Sequence, residues 1–125
     1  MFNVTKGHLM TKLEALRESV AHWTRMIEWA RTNTKLTVSD MYDILGEGPN
    51  SRYCALCQLY IVRHCELCPL DEIEERCSTT GSLFDLTVNY KHDLSQWVHY
   101  AERMLETLQQ LTKKEEEYAA LANTR

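Results

Sequence analysis

The sequence has few of the residues and runs on which several common functions depend. Only 4 of its 125 residues are glycine, and none forms a glycine-rich loop of the kind that binds nucleotide phosphates. No long apolar run is present: the first ten residues are too polar for a signal peptide, and no later stretch approaches the length that spans a bilayer. We therefore expect a cytoplasmic protein with no membrane partner, in a compartment where thiols stay reduced.

Catalytic arrangements are lacking as well. No spacing in the sequence suggests a Ser–His–Asp or Cys–His arrangement for nucleophilic catalysis. His99 and Glu102 would share one face of a helix, but no second pair completes a hydrolytic metal site beside them. The sequence thus predicts a protein that is not an enzyme.

Positive charge is also scarce. The chain has 14 Lys and Arg against 18 Asp and Glu, a net charge of −4, and the segment 34–84 holds four of the former against eight of the latter. The basic residues of the first 33 positions are spaced so that they spread around a helix; they are Lys6, Lys12, Arg17, Arg25 and Arg31. An acidic middle segment and scattered cations are a poor surface for phosphate backbones, so we expect no direct contact with nucleic acid.

The cysteines, by contrast, are concentrated in one segment. All five lie in CALCQLYIVRHCELCPLDEIEERC at 54–77, where two C-x-x-C pairs precede a fifth cysteine. Two such pairs supply four thiolates at the spacing that a tetrahedral Zn²⁺ accepts, and a fully ligated zinc is structural. The predicted ligands are Cys54, Cys57, Cys65 and Cys68, with Cys77 or His64 as a substitute for one of them. One alternative is that small buried thiols pack as hydrophobic groups. Another is an iron–sulfur cluster, although the ferredoxin spacing is absent.

The same segment resembles a group of small proteins encoded by phages and prophages. That group has Cys-x-Leu-Cys, then Cys-x-x-Cys-Pro and a further cysteine, with a Thr-Gly element nearby and helical flanks that contain Trp. The matching residues here are Cys54, Leu56, Cys57, Cys65, Cys68, Pro69 and Cys77, with Thr80 and Gly81 following. The resemblance covers about a third of the chain. It implies a phage origin and a zinc-binding segment, and the group has no settled activity.

Two apolar heptad seams flank the cysteine segment. The first consists of Leu9, Leu13, Leu16, Val20, Trp23, Ile27 and Ala30. The second consists of Tyr90, Leu94, Trp97, Ala101, Met104, Leu108, Leu111, Glu115, Tyr118 and Ala122. They predict a mostly α fold: an antiparallel, coiled-coil-like helical hairpin whose arms are joined by a small zinc knuckle with short helices. Trp29 and Tyr90 are placed near the metal end.

The chain is expected to form one domain, 1–125, in four parts. The first helical arm is 1–33, beginning at a capping box formed by Thr11 and Glu14. The connector 34–53 contains a short helix capped by Ser39 and stopped by Gly46, and TKLTV at 34–38 is the only strand candidate. The cysteine module is 54–81. The second arm, 82–125, is one long helix from about 85 to 122 after a cap at Ser82.

Three kinds of function fit these features. The favoured one is a non-enzymatic phage-type protein that binds and inhibits or modulates a host protein complex, with anti-defence action of the anti-CRISPR type as its concrete form. The others are a zinc-containing nucleic-acid-binding regulator and an assembly protein that forms homodimers through its long helix. The predicted partner contacts are aromatic or Met anchors: Trp29, Met26, Tyr60 and Tyr100.

Overall fold

The computed structural model describes residues 10–49, 55–60, 68–73 and 81–123. They form helices α1 (Lys12–Arg31), α2 (Val38–Ile44), α3 (Ala55–Tyr60), α4 (Pro69–Glu72), α5 (Leu83–Asn89) and α6 (Leu94–Asn123). These ranges contain no strand, which confirms the prediction of a mostly helical fold. None of these helices is both long enough and apolar enough to cross a bilayer.

The first arm begins where the capping box predicted. The Thr11 hydroxyl accepts a hydrogen bond from the Glu14 amide at 3.1 Å, and the Glu14 carboxylate accepts one from the Thr11 amide at 2.8 Å. These two bonds satisfy amides that have no partner inside the helix. Helix α1 ends at Arg31, close to the expected end at Asn33.

Helices α1 and α6 pack against each other in opposite directions. Lys12 at the beginning of α1 pairs with Glu115 late in α6 at 3.6 Å, whereas Arg31 at the end of α1 pairs with Glu102. Nearer the beginning of α6, the ring of Trp97 stacks on that of Trp23 with centroids 6.0 Å apart. The antiparallel hairpin predicted from the two seams is therefore confirmed.

The buried face of α1 is wider than the seam. A second column of residues beside it is buried as well: Ala15, Ser19, His22 and Met26. The reason is that α1 contacts α2 and α3 as well as α6, so a face two columns wide is removed from water.

The second arm contains a break that the sequence analysis did not predict. Ser82 caps α5 as expected, accepting from the Asp85 amide at 3.2 Å, but α5 ends at Asn89. A turn follows, and α6 begins only after Asp93, whose carboxylate accepts from the Ser95 hydroxyl at 2.6 Å. The prediction of one helix from about 85 to 122 is therefore wrong.

The connector also differs from its prediction in one respect. Helix α2 begins at Val38, and its cap is Thr37, whose hydroxyl accepts from the Asp40 amide at 3.3 Å. Ser39 lies inside the helix and is exposed, so neither the Ser39 cap nor a strand over 34–38 is correct. Gly46 does stop this segment, at a φ of 84° that favours glycine.

The segment after Cys68 lies at the opposite end of the hairpin from the one expected. Pro69 and Ile73 line a cavity together with Lys12, near the beginning of α1, and with Tyr118, near the end of α6. The prediction placed the metal end beside Trp29 and Tyr90, at the other end of α1. For residues 69–73 that placement is wrong, whereas Cys54, Cys65 and Cys77 lie outside the described residues.

Candidate functional site

The predicted zinc ligands fall mainly outside the described residues. Cys54, Cys65 and the two substitutes, His64 and Cys77, are not among them. Cys57 belongs to α3, of which only the backbone is described at that position, and Cys68 precedes α4 with its side chain buried. The knuckle therefore stays a prediction.

Within the described ranges, no three His, Cys, Asp or Glu side chains are grouped so that they could hold a metal ion. The donor set expected for zinc is four thiolates, and only the Cys68 side chain of that set is described. The zinc cofactor thus rests on the spacing of the cysteines alone.

The predicted partner contacts lie in different environments. Trp29 and Tyr60 are half-buried and pack against the core with part of each ring accessible. Met26 is 0% exposed, because it belongs to the second buried column of α1, and its side chain offers no surface to a partner. Met26 is therefore a core residue rather than a surface anchor.

Tyr100, the fourth predicted contact, belongs to a group of rings on the outer side of α6. Its ring stacks on that of Tyr90 with centroids 5.0 Å apart, and the ring of His99 meets it edge-on at 4.9 Å. A hydrogen bond between the phenols of Tyr90 and Tyr100 raises the pKa of Tyr90. These contacts hold the Tyr100 ring in one orientation.

A larger apolar surface lies at the end of the hairpin where α6 extends past α1. We call it the end groove. It encloses about 540 Å³. Its apolar lining consists of Leu16, Pro69, Ile73, Leu111, Tyr118 and Leu121. Its charged lining consists of Lys12, Lys114, Glu115 and Glu117.

The end groove exists because the two arms differ in length. Helix α6 has 30 residues and α1 has 20, so α6 is about 45 Å long and α1 about 30 Å. Beyond Lys12 the last turns of α6 have no α1 residues beside them, and Tyr118 and Leu121 stay 70% and 69% exposed. Ile73, across the groove, is 40% exposed.

The cations of α1 are engaged within the protein. Three of the pairs join α1 to α6: Lys12 with Glu115, Arg17 with Glu116 and Arg31 with Glu102. Arg25 instead binds Glu47 in the loop after α2. Since each described cation of α1 has a carboxylate partner, this helix presents no uncompensated basic stripe.

The most closely knit polar cluster joins α1 to that loop. Glu47 accepts two hydrogen bonds from the Arg25 guanidinium, at 2.9 and 3.0 Å, and lies 2.5 Å from Nδ1 of His22. Burial lowers the pKa of His22 despite its contact with Glu47. Burial would raise the pKa of Glu47, but the hydrogen bonds from Arg25 and His22 outweigh it and lower that pKa. At neutral pH His22 is therefore neutral and donates from Nδ1 to an ionised Glu47.

This cluster resembles a catalytic dyad in its residue types but not in its exposure. The His22 side chain is only 4% exposed, so a substrate has no approach to the imidazole. The chemistry available to the cluster is that of a tether: a charge-assisted hydrogen bond fixes the 46–49 loop on the middle of α1.

Sequence reasoning missed the Glu47 cluster for a definite reason. His22 and Glu47 are 25 positions apart, and the contact joins a helix to a loop, so no periodic pattern reports it. The end groove was partly predictable, because the helix predicted from about 85 to 122 is longer than the first arm and must extend past it. The apolar residues of that overhang were the available signal.

Comparison of the chain with known protein families, with curated proteins and with solved structures finds no match.

Proposed function

We propose that this chain is a non-enzymatic, phage-type interaction protein that acts in the host cytosol. It binds a host protein complex and inhibits or modulates it, and anti-defence action of the anti-CRISPR type is its concrete form. The observation that carries the interaction role is the end groove, where Tyr118 and Leu121 are about two-thirds exposed beside a cavity of about 540 Å³. The phage assignment rests on the resemblance of the cysteine segment.

The end groove has the composition of a protein-binding surface. Six of its ten lining residues are apolar or aromatic, including a tyrosine, and the other four, Lys114 and Glu117 among them, are charged. Interfaces commonly combine an apolar centre with a polar rim, and a few buried aromatic anchors provide most of the binding energy. Exposed apolar groups clustered at one end of a helical hairpin are therefore more consistent with a protein partner than with a solvated tip.

The charges weigh against the nucleic-acid alternative. A protein that follows a phosphate backbone needs cations available to replace counterions. Here Arg17, Arg25 and Arg31 are each paired with a glutamate of the same chain. Breaking those pairs would oppose any gain from phosphate contacts.

Matched variants of exposed apolar residues test the surface. Leu121→Asp and Tyr118→Ser change the end groove, whereas Ile44→Ser changes a 63% exposed residue of α2 outside it. We expect the first two variants to lose the proteins that the wild-type chain captures from a host lysate, with Ile44→Ser retaining them and all three keeping their helical circular dichroism. If the Ile44 variant alone loses them, the end groove is not the contact surface.

The anti-defence role needs a functional measurement. Expression of the wild-type chain in a host with an active CRISPR system is expected to restore plaque formation by a targeted phage, and Leu121→Asp is expected to abolish that effect. Trp29→Ala and Tyr60→Ala test the predicted contacts elsewhere on the hairpin by the same assay. A wild-type chain that restores no plaques excludes the anti-CRISPR form.

Light scattering separates the assembly alternative from this proposal. A monomer mass that is unchanged by Leu121→Asp supports a heterologous partner. A dimer mass that falls to the monomer in Leu121→Asp means that the groove joins two copies of this chain.

A titration with nucleic acid tests the remaining alternative. We predict no measurable binding to duplex or single-stranded DNA or RNA at physiological salt, because the cations of α1 are paired. Fluorescence polarisation with labelled oligonucleotides measures this directly. Micromolar binding with a steep salt dependence would favour the zinc-containing regulator instead.

A further inference from the structure

A second cavity lies on the side of the hairpin, far from the end groove. Its lining comes from α2, the loop that follows α2, the turn before α6 and the two last helices, and it encloses about 350 Å³. We call it the side cavity. Its lining residues include Val38, Phe84, Val88, Lys91 and Trp97. Its volume lies within the range of small-molecule sites, and most of its lining is apolar, as such sites usually are.

The first sign of a ligand is a buried donor on a residue that lines the cavity. Trp97 is 0% exposed, and its Nε1, which can only donate, has no hydrogen-bond partner among the residues that the structure describes. The other face of this indole is covered by Trp23, whose ring is nearly parallel to it. A donor that is buried without an acceptor loses its hydrogen bonds to water and gains none in return. A ligand oxygen that accepts from Nε1 would offset that free-energy cost.

The second sign is the charge at the rim. Lys91 is exposed, and its ammonium has no carboxylate partner among the described residues, unlike the cations of α1. The backbone at this position is fixed, because the Lys91 carbonyl accepts from the Val38 amide at 2.9 Å. A lysine on a fixed turn beside an apolar cavity favours an anion with an apolar body.

From these features we infer that the side cavity binds a small aromatic or branched aliphatic monocarboxylate. The apolar body lies against Phe84 and Val88, the carboxylate pairs with the Lys91 ammonium, and one of its oxygens accepts from Trp97 Nε1. An uncharged ligand of the same shape would leave the lysine without a counterion. This site is independent of the proposed interaction role, because none of its residues lines the end groove.

Nuclear magnetic resonance of the indole N–H groups tests the inference on the full chain. The three indole signals are assigned with Trp23→Phe and Trp29→Phe, and 3-phenylpropionate is titrated against its neutral amide. We expect a saturable downfield shift of the Trp97 signal and at least about threefold tighter binding of the acid, in line with the strength of an exposed ion pair. Equal affinities for acid and amide, or no saturable shift below about 10 mM, would overturn the inference.

Three variants locate the binding. Lys91→Met is expected to remove the preference for the acid, while Lys35→Met, at an exposed position outside the cavity, keeps it. Val88→Trp, at a 40% exposed position, is expected to fill the cavity and prevent binding of both compounds while the circular dichroism stays unchanged. An unchanged affinity in Val88→Trp would place the ligand elsewhere and refute the site.

Discussion

The Glu47 carboxylate pairs with both the buried His22 and the exposed Arg25. The pKa of His22 is lowered from 6.5, chiefly by burial, so as the pH falls below 6.5 the unfolded chain takes up a proton that the folded chain does not. The lowered pKa of Glu47 acts in the same direction. Its stabilising contribution is present above 4.5 and is lost as the pH falls through the lower pKa of the folded state. Stability should therefore decrease as the pH falls from about 6.5 into the acid range.

Glu47→Gln tests this cluster at the residue scale. At pH 7 we expect it to lower the free energy of unfolding by about 1–3 kcal/mol, because charge-assisted hydrogen bonds to both partners are weakened. The deficit should shrink as the pH falls through the pKa of Glu47, where the wild-type carboxylate also loses its charge. Urea unfolding at several pH values measures both effects.

The control for that experiment is Glu102→Gln. Glu102 also pairs with an arginine, Arg31, but both side chains are about half exposed. An exposed pair contributes less than about 1 kcal/mol, so this variant should change little. A Glu47→Gln deficit that is the same at every pH would show that the carboxylate charge is not its cause.

Residue burial was predicted from the sequence only where periodicity determines it. Trp23 and Ile27 belong to the seam and are buried, as the pattern indicated. Met26 and His22 are buried too, but their column faces α2, α3 and the Glu47 loop, and the sequence of α1 contains no information about those distant partners. The sequence thus predicted the core residues of α1 that face α6, but not those that face α2, α3 and the Glu47 loop.

At the scale of single helices, local capping decides the boundaries. The sequence offers two possible caps for α2. Thr37 and Ser39 are both suitable caps, but only Thr37 has an acidic residue three positions later, Asp40, whose side chain accepts from the Thr37 amide at 2.9 Å. The reciprocal pair of bonds favours Thr37. This contrast between the two residues is visible in the sequence itself.

Thr37→Ala and Ser39→Ala form a matched pair of variants. We expect Thr37→Ala to destabilise the protein by about 1 kcal/mol through loss of the cap. Ser39→Ala, in an exposed helical position, should change the free energy of unfolding by only about 0.3 kcal/mol. Thermal unfolding followed by circular dichroism measures both. Equal effects would mean that the capping bonds contribute nothing net.

The break between α5 and α6 could not be predicted from periodicity. Tyr90, Leu94 and Trp97 continue the heptad spacing across it, so the turn leaves the apolar pattern in phase. The only local signal is the cap at Asp93, and its bonds to Ser95 and Gln96 resemble those of many exposed turns. A tertiary contact fixes this turn, the bond from Val38 to the Lys91 carbonyl.

The contact between α1 and α6 is tested by charges placed on its buried face. Leu16 and Leu108 are 0% and 1% exposed, so Leu16→Asp or Leu108→Asp is expected to destabilise by several kcal/mol. Leu121→Asp is the control. Leu121 lies on α6, like Leu108, but is 69% exposed, so this variant should leave the midpoint of unfolding nearly unchanged. Equal midpoints for all three variants would contradict the packing of the two arms.

At the scale of the whole molecule, zinc remains the largest prediction from the sequence. We expect about one zinc per chain by elemental analysis of protein purified without added metal, and loss of cooperative unfolding after chelation, since binding and folding are coupled. Cys57→Ser should be more damaging than Cys77→Ser. Less than about a tenth of an equivalent in cooperatively folded protein would exclude the site.

The candidate sites differ in how far the sequence could predict them. Candidate ligands of a metal knuckle can be proposed from spacing, because the thiols are neighbours in the chain, but spacing leaves Cys77 and His64 as substitutes for one of them. The end groove required the lengths of both arms and the position of Pro69 and Ile73, and the side cavity required the break before α6. Both are completed by segments distant in sequence, which are brought together only in the folded chain.

The pairing of the first described helix with the last has a consequence during synthesis. Trp23 and its stacking partner Trp97 are separated by about 70 residues, which a ribosome adds in roughly 4–15 s. Once Arg31 has been added, α1 is complete, but its apolar face has no α6 to cover it for the rest of that interval. The nascent chain therefore presents a chaperone-binding surface for seconds, and the hairpin forms as a late, non-local event rather than as a local helical turn-back.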